Sequence, residues 1–526
     1  MPEKYSSLNL NKVRQLRQFK IDYSRVRNLE YFDKDKMKPQ SFSQYRRLVV
    51  IRAMRTRVQP RPRFPSDLRY LQNYSSIHFP RGRILILVNH ALYPSIRNSI
   101  NQYIKDVAYE GYYATAYRIW NGTPRELRTF IRRKRPIAGV LMVGNLPVSW
   151  FEMDDDFYGS AEFPCDLYYM DLNGTWSDPD NDGKFSGHPS GVEPEIWVGR
   201  LWTPSANGSD AVLFNDYFRR NHLFRKGRFG YSNNALSYVD DDWAHFDDCA
   251  FDQIFPPANI EVITDPATTD GDRYKAEINQ HRAWAQVCAH SSPGGHAFRT
   301  PAGNEWVPNS YLRDINPPNA YFYNLFACSN ARFTQPDYMA GWYIFDKKGG
   351  SRCNGLAAVG STKTGSMLAF ENFYGPMAVG KAIGDAFVDW WNALGSTHEL
   401  GERRWYYGLT LLGDPTLNWW SGVVPLLRNP LDGDTFDHFP RRTNFHWDQI
   451  GLSGVTYNIE IDAFGARQAG KWAAEAGLTW LVSGTLFQNT YEHLFVGAQR
   501  GRWRVRAKVG GRASYWSDWN YFVYTA

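Results

Sequence analysis

The fold class is indicated most clearly by one stretch, Tyr321-Phe322-Tyr323-Asn324-Leu325-Phe326-Ala327-Cys328-Ser329-Asn330. Its apolar and aromatic residues, interrupted only by Asn324, predict a buried strand of a mostly parallel sheet, because strands covered on both faces are apolar throughout. Such a strand delivers Cys328 to its carboxyl end, where open α/β sheets place their sites. A lone cysteine is also a common small hydrophobic core residue, so this stretch alone leaves the role of Cys328 open.

A second apolar run, Ala283 to Ala289, ends in the same way at His290. We expect this run to be another strand of the same sheet, with its imidazole at the carboxyl end. A thiol and an imidazole at two strand ends are the components of a cysteine nucleophile site. The presence of both Cys328 and His290 therefore favours a role for Cys328 as a nucleophile.

The region around residues 83–143 alternates between strand and helix patterns. Strands are predicted at 84–88, 112–120 and 137–143, and helices at 96–107 and 124–134, the first from apolar residues at helical spacing. This alternation predicts an α/β fold with a mostly parallel sheet covered by helices. Later strands are expected at 196–201, 235–239, 260–263 and 355–360, and a long helix at 377–394.

The hydrophobic period changes to two after Pro425, as in Tyr457 to Ile461 and Arg502 to Ala507. About 100 residues of short strands with turn signals predict an all-β sandwich. The face that carries Arg502, Arg504 and Arg506 is expected to stack on Trp516 and Trp519. The predicted domains are a basic, proline-containing arm at 1–75, an α/β domain at 76–422 and the sandwich at 423–526.

The formal charge of +7 is concentrated near the N-terminus. Residues 1–65 hold 17 Lys and Arg but 5 Asp and Glu. Such an arm binds an anionic surface. Because it has no recognisable nucleic-acid-binding motif, we expect it to dock on an acidic face, a partner or a neighbouring subunit rather than on nucleic acid.

The chain has no apolar run long enough for a transmembrane helix, and its first residues do not resemble a signal peptide. The expectation is a protein that stays in the cytoplasm or leaves by a non-classical route. The five cysteines are too few and too scattered for a disulfide framework or a zinc site. No organic cofactor is expected.

The segment Asp178-Pro179-Asp180-Asn181-Asp182-Gly183 places three carboxylates at alternate positions before a glycine. This spacing is typical of calcium loops, although Pro189 stands where an EF-hand has its final glutamate. We predict a structural Ca²⁺ ion held by Asp171, Asp178, Asp180 and Asp182, with a solvated acidic turn as the alternative.

Several blocks, in order over residues 83–420, resemble the gingipain-type cysteine peptidases, which share the caspase and legumain fold. These blocks are Leu141-Met142-Val143-Gly144, Cys165-Asp166-Leu167-Tyr168-Tyr169-Met170-Asp171-Leu172-Asn173-Gly174, Glu195-Ile196-Trp197-Val198-Gly199-Arg200, Ala289-His290-Ser291-Ser292, Ala327-Cys328-Ser329-Asn330 and Leu412-Gly413-Asp414-Pro415-Thr416-Leu417. The tail, with Trp516-Ser517-Asp518-Trp519, resembles a fibronectin type III domain. The resemblance implies a caspase-like sheet followed by such a sandwich.

The resemblance also implies the roles of the site residues. Cys328 is the expected nucleophile, His290 the general acid and base, and backbone N–H groups of Cys328 and Ser291 the oxyanion donors. Ser291 departs from the glycine that the family usually has after its histidine. His296, in a turn near the same strand end, is the alternative to His290, which is preferred because it directly ends the apolar run.

Two carboxylates match positions at which family members place the group that orients the histidine, namely Asp166 and Glu195. The run Asp240-Asp241-Asp242, after the strand at 235–239, is expected to line a pocket for Arg or Lys or to be a hydrated strand end. The implied function is a cysteine endopeptidase that cleaves proteins or peptides through a thioester. The alternative is a catalytically silent relative that acts as a structural or adhesive module.

Overall fold

The computed structural model describes residues 39–47, 81–120, 122–157, 159–230, 232–246, 249–347, 353–451, 454–465, 470–473, 481–482, 484–495, 497, 499–509 and 512–525. The chain divides into two compact units, the first within residues 1–220 and 232–419 and the second within 221–231 and 420–526. Most of the predicted basic arm, at 1–38 and 48–75, lies outside the described residues. The sequence pattern gave no indication that residues 221–231 group with the C-terminal part.

The first unit is an α/β structure with fifteen described strands. They are β1 (Arg83–Asn89), β2 (Tyr113–Ile119), β3 (Gly139–Val143), β4 (Trp150–Asp156), β5 (Gly159–Pro164), β6 (Trp197–Leu201), β7 (Ala235–Val239), β8 (Ile260–Ile263), β9 (Arg282–Cys288), β10 (His290–Ser292), β11 (Gly295–Thr300), β12 (Gly303–Pro308), β13 (Ala320–Phe326), β14 (Ala357–Ser361) and β15 (Leu409–Gly413).

The described α-helices of the chain include short and long segments between these strands. They are α1 (Tyr93–Tyr109), α2 (Pro124–Arg133), α3 (Leu167–Met170), α4 (Ala211–Arg225), α5 (Gly271–Ile278), α6 (Gly341–Ile344), α7 (Glu371–Ala378), α8 (Ile383–Ala393) and α9 (Leu400–Tyr406). Helix α2 begins with a capping box, in which Thr123 accepts the N–H of Glu126 and the Glu126 carboxylate accepts the N–H of Thr123. In the described part of the chain, every helix is too short or too polar to cross a membrane.

Ten strands form one sheet in the order β2-β1-β3-β6-β15-β14-β13-β9-β7-β8. Its neighbouring strands pair in parallel, except that β14 and β15 are antiparallel. The predicted mostly parallel α/β sheet is thus confirmed. Every residue is buried in seven of its strands, β3, β6, β7, β9, β13, β14 and β15, which explains their continuous apolar sequences.

The β14–β15 pair reverses the direction of the sheet, and this reversal was not predicted. Strands β14, β13, β9, β7 and β8 run one way, and β15, β6, β3, β1 and β2 run the other way. The carboxyl ends of the first group therefore lie at the same edge as the amino ends of the second. Hydrophobic periodicity cannot reveal this arrangement, because a buried strand has the same apolar sequence in either direction.

The predicted helix at 377–394 is wrong as one element. The chain forms α7, which ends at Ala378, and α8, which begins at Ile383. Gly380 lies between them with φ +93°. This left-handed conformation favours glycine and ends a helix. The apolar spacing is regular on both sides of Gly380, which is why the sequence pattern did not reveal the break between α7 and α8.

Residues 42–47, within the predicted extended arm, are helical. The rings of Phe42 and Tyr45 lie 5.2 and 5.5 Å from that of Trp150. The main chain of Gln40 is also held, because its N–H donates to the Gln335 side chain at 3.0 Å and its carbonyl accepts from Arg332. This part of the arm therefore packs on the first unit through aromatic and main-chain contacts.

The second unit contains two β-sheets that share one core. One has the order β16 (Leu427–Asn429), β18 (Arg442–Trp447) and β21 (Thr490–Leu494). The other comprises β17 (Asp434–Phe436), β24 (Asn520–Tyr524), β22 (Arg500–Val509), β19 (Thr456–Ala463) and β20 (Leu481–Val482), with β23 (Arg512–Ala513) on β22. Phe445 of one sheet contacts Trp503 of the other at 5.0 Å, as expected for the predicted sandwich.

A ladder of alternating arginine and tryptophan side chains covers one face of β22, and it confirms the predicted stacking. Arg504 lies 4.9 and 4.3 Å from the rings of Trp516 and Trp519, and Arg502 lies 4.4 Å from Trp519. The guanidinium groups are also paired across the strands, with Arg504 Nε 2.7 Å from Glu460. Alternate residues of a strand share a face, which places the arginines in one row.

Replacing Arg504 with Met should destabilise the second unit by about 1–3 kcal/mol, because two cation–π contacts and a half-buried ion pair are lost together. Arg442 is the matched control, since it pairs with Glu492 at 2.7 Å on an exposed surface. R442M should change the unfolding free energy by less than about 0.5 kcal/mol. Urea unfolding of both variants measures the difference; equal losses would contradict a stabilising role for the ladder.

Candidate functional site

Three neighbouring strands of the large sheet end side by side and deliver three chemically active side chains. In the parallel register, Val239 of β7 is opposite Cys288 of β9, which is opposite Phe326 of β13. Backbone bonds continue just past the strands, from Asp240 N–H to Cys288 O at 2.9 Å and from Ala289 N–H to Phe326 O at 3.1 Å.

Adjacent strands lie about 5 Å apart, so the residues that follow these ends are close neighbours. Cys328 follows β13, His290 begins β10 directly after β9, and Asp242 lies in a 3₁₀-helix (Asp241–Phe246) after β7. The edge thus presents a carboxylate, an imidazole and a thiol in that order.

His290 is held by the carboxylate of Asp242, with 2.9 Å between Nε2 and Oδ2. Asp242 also pairs through Oδ1 with Arg299 on β11, and the Trp243 ring lies 5.2 Å from the His290 ring. Burial acts to raise the pKa of Asp242, but the hydrogen bonds and charges of His290 and Arg299 outweigh it and hold that pKa below its ordinary value. The carboxylate is therefore ionised at neutral pH.

An ionised carboxylate only accepts hydrogen bonds, so Nε2 of His290 carries the proton that it donates to Asp242. This assignment leaves the lone pair of a neutral imidazole on Nδ1. A histidine held in one tautomer and orientation by a carboxylate is the arrangement used for general base catalysis.

Cys328 is partly exposed, whereas Cys165, Cys249, Cys288 and Cys353 are buried. The chain turns sharply after the thiol, because Ser329 has φ +56° and donates its N–H to the carbonyl of Lys363 at 2.8 Å. A non-glycine residue in this conformation is strained, which is common at functional sites.

The thiol of Cys328 has an environment with opposing electrostatic effects. Burial raises its pKa above the ordinary value, the Gly365 N–H and the Lys363 ammonium act to lower it, and Asp156 acts to raise it. Burial also raises the pKa of Cys353, to about 11. Cys353 has neighbours of the same kinds, the Arg220 guanidinium and the Gly355 N–H, so the feature that distinguishes Cys328 is its partial exposure after the end of β13.

His296 is separated from this edge by the geometry of the β10–β11 hairpin. Ser291 is opposite His296 in the antiparallel register, and His290 is opposite Ala297. Because successive side chains of a strand point to opposite faces, His296 faces away from the side that His290 uses. His296 is fully buried, bonds to the Tyr343 hydroxyl at 2.7 Å, and burial lowers its pKa to about 3. It is a core histidine.

The two carboxylates predicted to orient the histidine have other partners, which corrects that prediction. Asp166 is buried and accepts from Arg200 Nε at 2.8 Å and from Thr410 Oγ1 at 2.9 Å. Glu195 accepts the N–H of Leu172. In the described part of the chain, the carboxylate that bonds to His290 is Asp242.

Sequence reasoning gave Asp242 a different role, in a pocket for a cationic side chain. Its position after the strand at 235–239 follows the same rule that singled out His290 and Cys328, and this was the available signal. Asp240, in the same run, is buried beneath β11, where both of its carboxylate oxygens accept the N–H of Arg299 at 3.1–3.2 Å. Burial raises its pKa to about 8. All three acids have partners, because Asp241 accepts from the Thr269 hydroxyl at 3.3 Å.

The predicted calcium loop brings together part of its ligand set. Carboxylate oxygens of Asp180 and Asp182 lie with one from Glu152, all within 4.8 Å of one another. The ammonium group of Lys184 lies 2.6 Å from Glu152 and 2.9 Å from Asp182 and supplies positive charge to this cluster. Calcium binding stays a prediction.

The other two predicted calcium ligands have different surroundings. Asp171 accepts the N–H of Gly174 at 2.8 Å and the indole N–H of Trp176 at 2.7 Å. Asp178 lies 3.4 Å from Arg125. The Asp171 carboxylate therefore makes hydrogen bonds within its own loop. The spacing of the acidic residues had instead predicted that it binds the same Ca²⁺ ion as Asp178, Asp180 and Asp182.

A buried histidine pair fixes the loop that leads to β6. The hydroxyl of Tyr407 bonds to Nε2 of His188 and, at 3.1 Å, to Nδ1 of His398. The other nitrogen of His398 donates to the carbonyl of Gly395 at 3.0 Å, so His398 accepts from the tyrosine and His188 donates to it. Burial lowers the pKa of both histidines to about 4, assisted by nearby positive charge.

Acid should therefore weaken the first unit before most carboxylates titrate. The folded pKa values lie below the ordinary value of 6.5, so stability is full above pH 6.5 and falls as the pH drops towards 4. At pH 4 each histidine contributes a loss of about 3 kcal/mol in the free energy of unfolding. In H398N, the slope of that free energy between pH 6.5 and 4.5 should be about half of the original. An unchanged slope would contradict the assignment.

Comparisons with known proteins do not supply a family for this chain. No protein-family model matches it, and a search of curated proteins finds no match.

Proposed function

We propose that this protein is a cysteine endopeptidase in which Cys328 is the nucleophile, His290 the general acid and base, and Asp242 the group that orients the histidine. The observation that carries the proposal is the 2.9 Å contact between His290 and Asp242 at strand ends next to the one that leads to Cys328. Nucleophile, base and orienting acid from neighbouring elements are the general pattern of covalent acyl transfer.

In the proposed reaction the Cys328 thiol gives its proton to Nδ1 of His290, and the sulfur attacks the scissile carbonyl carbon. The tetrahedral intermediate collapses as the imidazolium donates the proton to the leaving amine, so the C–N bond breaks and a thioester remains. Water, deprotonated by His290, then attacks the thioester carbonyl. The carboxylic acid product leaves, and the thiol recovers its proton. Asp242 stabilises the imidazolium in both halves without taking the proton.

The N–H of Ser291 is the proposed oxyanion donor together with that of Cys328. In an antiparallel hairpin, pairs that exchange backbone hydrogen bonds alternate with pairs that do not. The Ser292–Gly295 pair closes the turn, so the next pair, Ser291 with His296, is expected to point its N–H groups outward. The Ser291 hydroxyl donates to the Gly295 carbonyl within the hairpin at 3.0 Å, so it does not compete with the outward-pointing backbone N–H of Ser291.

The fold supports a relation to caspase-like peptidases, and the sandwich supports a fibronectin type III-like module. A mostly parallel sheet carries the proposed thiol and imidazole on adjacent strand ends, as the resemblance implies. The proposed substrate is a protein or peptide.

A second candidate is a catalytically silent relative that acts as a structural or adhesive module. The observation in its favour is that burial raises the pKa of the Cys328 thiol and lowers the thiolate fraction at neutral pH. The docked segment around Gln40 and the rigid arginine–tryptophan ladder suit a binding protein as well as an enzyme.

Cleavage of a mixed peptide library distinguishes the two candidates. For the peptidase, C328A should abolish cleavage, and an acyloxymethylketone should label Cys328 in preference to the four buried cysteines, as read by peptide mass spectrometry. C353A is the matched control because Cys353 is buried away from the proposed edge. Cleavage that persists in C328A, or its absence in the parent protein, would reject the enzyme.

Replacing Asp242 with Asn should lower kcat by about a hundredfold with little change in melting temperature, because the tautomer of His290 is no longer fixed. D241N is the control, since Asp241 is a partly exposed neighbour that accepts from Thr269 at 3.3 Å. D166N should instead lose about 3–5 kcal/mol of stability, because Arg200 is left buried without its counter-ion. If D166N impaired catalysis and D242N did not, Asp242 would not be the orienting group.

A further inference from the structure

A buried lysine–carboxylate pair lies beside the proposed nucleophile. Lys363 and Asp156 are 3% and 7% exposed, and Nζ lies 2.8 Å from Oδ1. The same Nζ donates to the carbonyls of Thr364 and Arg404. Burial lowers the pKa of Lys363 and the Asp156 carboxylate acts to raise it; with two carbonyl acceptors and this carboxylate around Nζ, we describe Lys363 as charged.

Burying a charged lysine is costly even when it is paired, because both ions lose their hydration. An ion pair of this kind contributes little net stability compared with an apolar pair of similar volume. The location of the pair is more informative than its stability, because Lys363 follows β14 at the edge of the sheet where β13 and β14 end.

The backbone that carries Lys363 runs directly against the turn that carries Cys328. The Lys363 carbonyl accepts the N–H of Ser329 at 2.8 Å, and two residues earlier Ser361 accepts the N–H of Ala331 at 3.0 Å. The N–H of Gly365, two residues later, acts on the thiol as a hydrogen-bond donor. The segment 361–365 therefore lies alongside 328–331.

We propose that Lys363 and Asp156 are positioning residues that set the charge state of the Cys328 thiol, with the ammonium stabilising the thiolate and the carboxylate limiting that stabilisation. The electrostatic effect is on the thiol itself, and its role in catalysis rests on the proposed peptidase function. Lys363 keeps its proton throughout, and the proton that leaves the sulfur goes to His290.

The charges around Cys328 support opposite effects for the two members of the pair. Lys363 acts to lower the pKa of the thiol, and Asp156 acts to raise it with a smaller effect. The other ionisable groups at this edge are His290, which follows the neighbouring strand β9, and Arg404, which interacts with the ion pair and binds Asp155. An isolated ammonium at this site would favour a permanent thiolate, whereas the pair gives an intermediate field.

The experiment is the pH dependence of iodoacetamide alkylation at Cys328 in the full chain, read by mass spectrometry of the Cys328 peptide. The thiolate displaces iodide and forms an S–C bond, so the rate follows the ionised fraction. K363M should slow alkylation at pH 7 by about threefold or more and move the midpoint to higher pH. D156N should move the midpoint to lower pH.

The double variant K363M/D156N guards against unfolding, because it leaves no uncompensated buried charge. Its midpoint should lie above that of the parent protein but below that of K363M, since the effect of the lysine is the larger. K275M is the control: Lys275, on helix α5, also pairs with a carboxylate, at 2.7 Å from Asp272, and is not among the charges that act on the Cys328 thiol.

A purely structural role would move the midpoints of both single variants in the same direction or leave them unchanged, and either result overturns the proposal. If the single variants do not fold, a double variant with the midpoint of the parent protein overturns it as well. Failure of the peptidase proposal is a separate outcome. If the midpoints shift in opposite directions but no peptide is cleaved, this inference holds and the enzyme is rejected. If peptides are cleaved but the midpoints do not shift in this way, the enzyme holds and this inference is rejected.

Discussion

The parallel pairing of β9 with β13 is the constraint on which the candidate site depends. Backbone hydrogen bonds fix Cys288 opposite Phe326, and two residues later the chain places His290 and Cys328 at one edge. Strand β7 joins the same register through Val239, so Asp242 reaches His290 from the third strand. Main-chain pairing between strands positions the parts of the site, and for that reason residues that lie far apart in the sequence meet at one edge.

The acidic block that contains Asp166 lies with β6, on the other side of the reversal between β14 and β15, and its carboxylate has partners other than His290. Strand β6 runs opposite to β9 and β13, and the Arg200 that it carries captures Asp166 in a buried pair with Thr410. That pair stabilises the centre of the sheet, where an unpaired guanidinium would be costly. Meanwhile β4, which belongs to the same acidic region, delivers Asp156 to Lys363. The region thus contributes to the surroundings of Cys328 by a different residue from the predicted one.

Buried charged side chains are paired in different ways in the two units. In the first unit, single ion pairs such as Asp156 with Lys363 and Asp166 with Arg200 are buried in the core. In the second unit Arg502 and Arg504 form a repeated row in which every guanidinium has both an aromatic face and a carboxylate. In a repeated row, the stabilising free energy is spread over many cation–π contacts and ion pairs, which suits a rigid module. An isolated buried ion pair instead acts electrostatically on the few groups next to it.

The sequence by itself determined the strands that end at His290 and Cys328, the mostly parallel α/β class, and the change to a two-residue period with its arginine face. These features depend on local hydrophobic periodicity, which the chain carries in its own residues. Only the tertiary structure decided that Asp242 holds His290, that His296 is a core residue, and that Lys363 lies beside Cys328. Those relations depend on strand order and direction, and a buried apolar strand has the same sequence pattern whichever neighbour it pairs with and whichever way it runs.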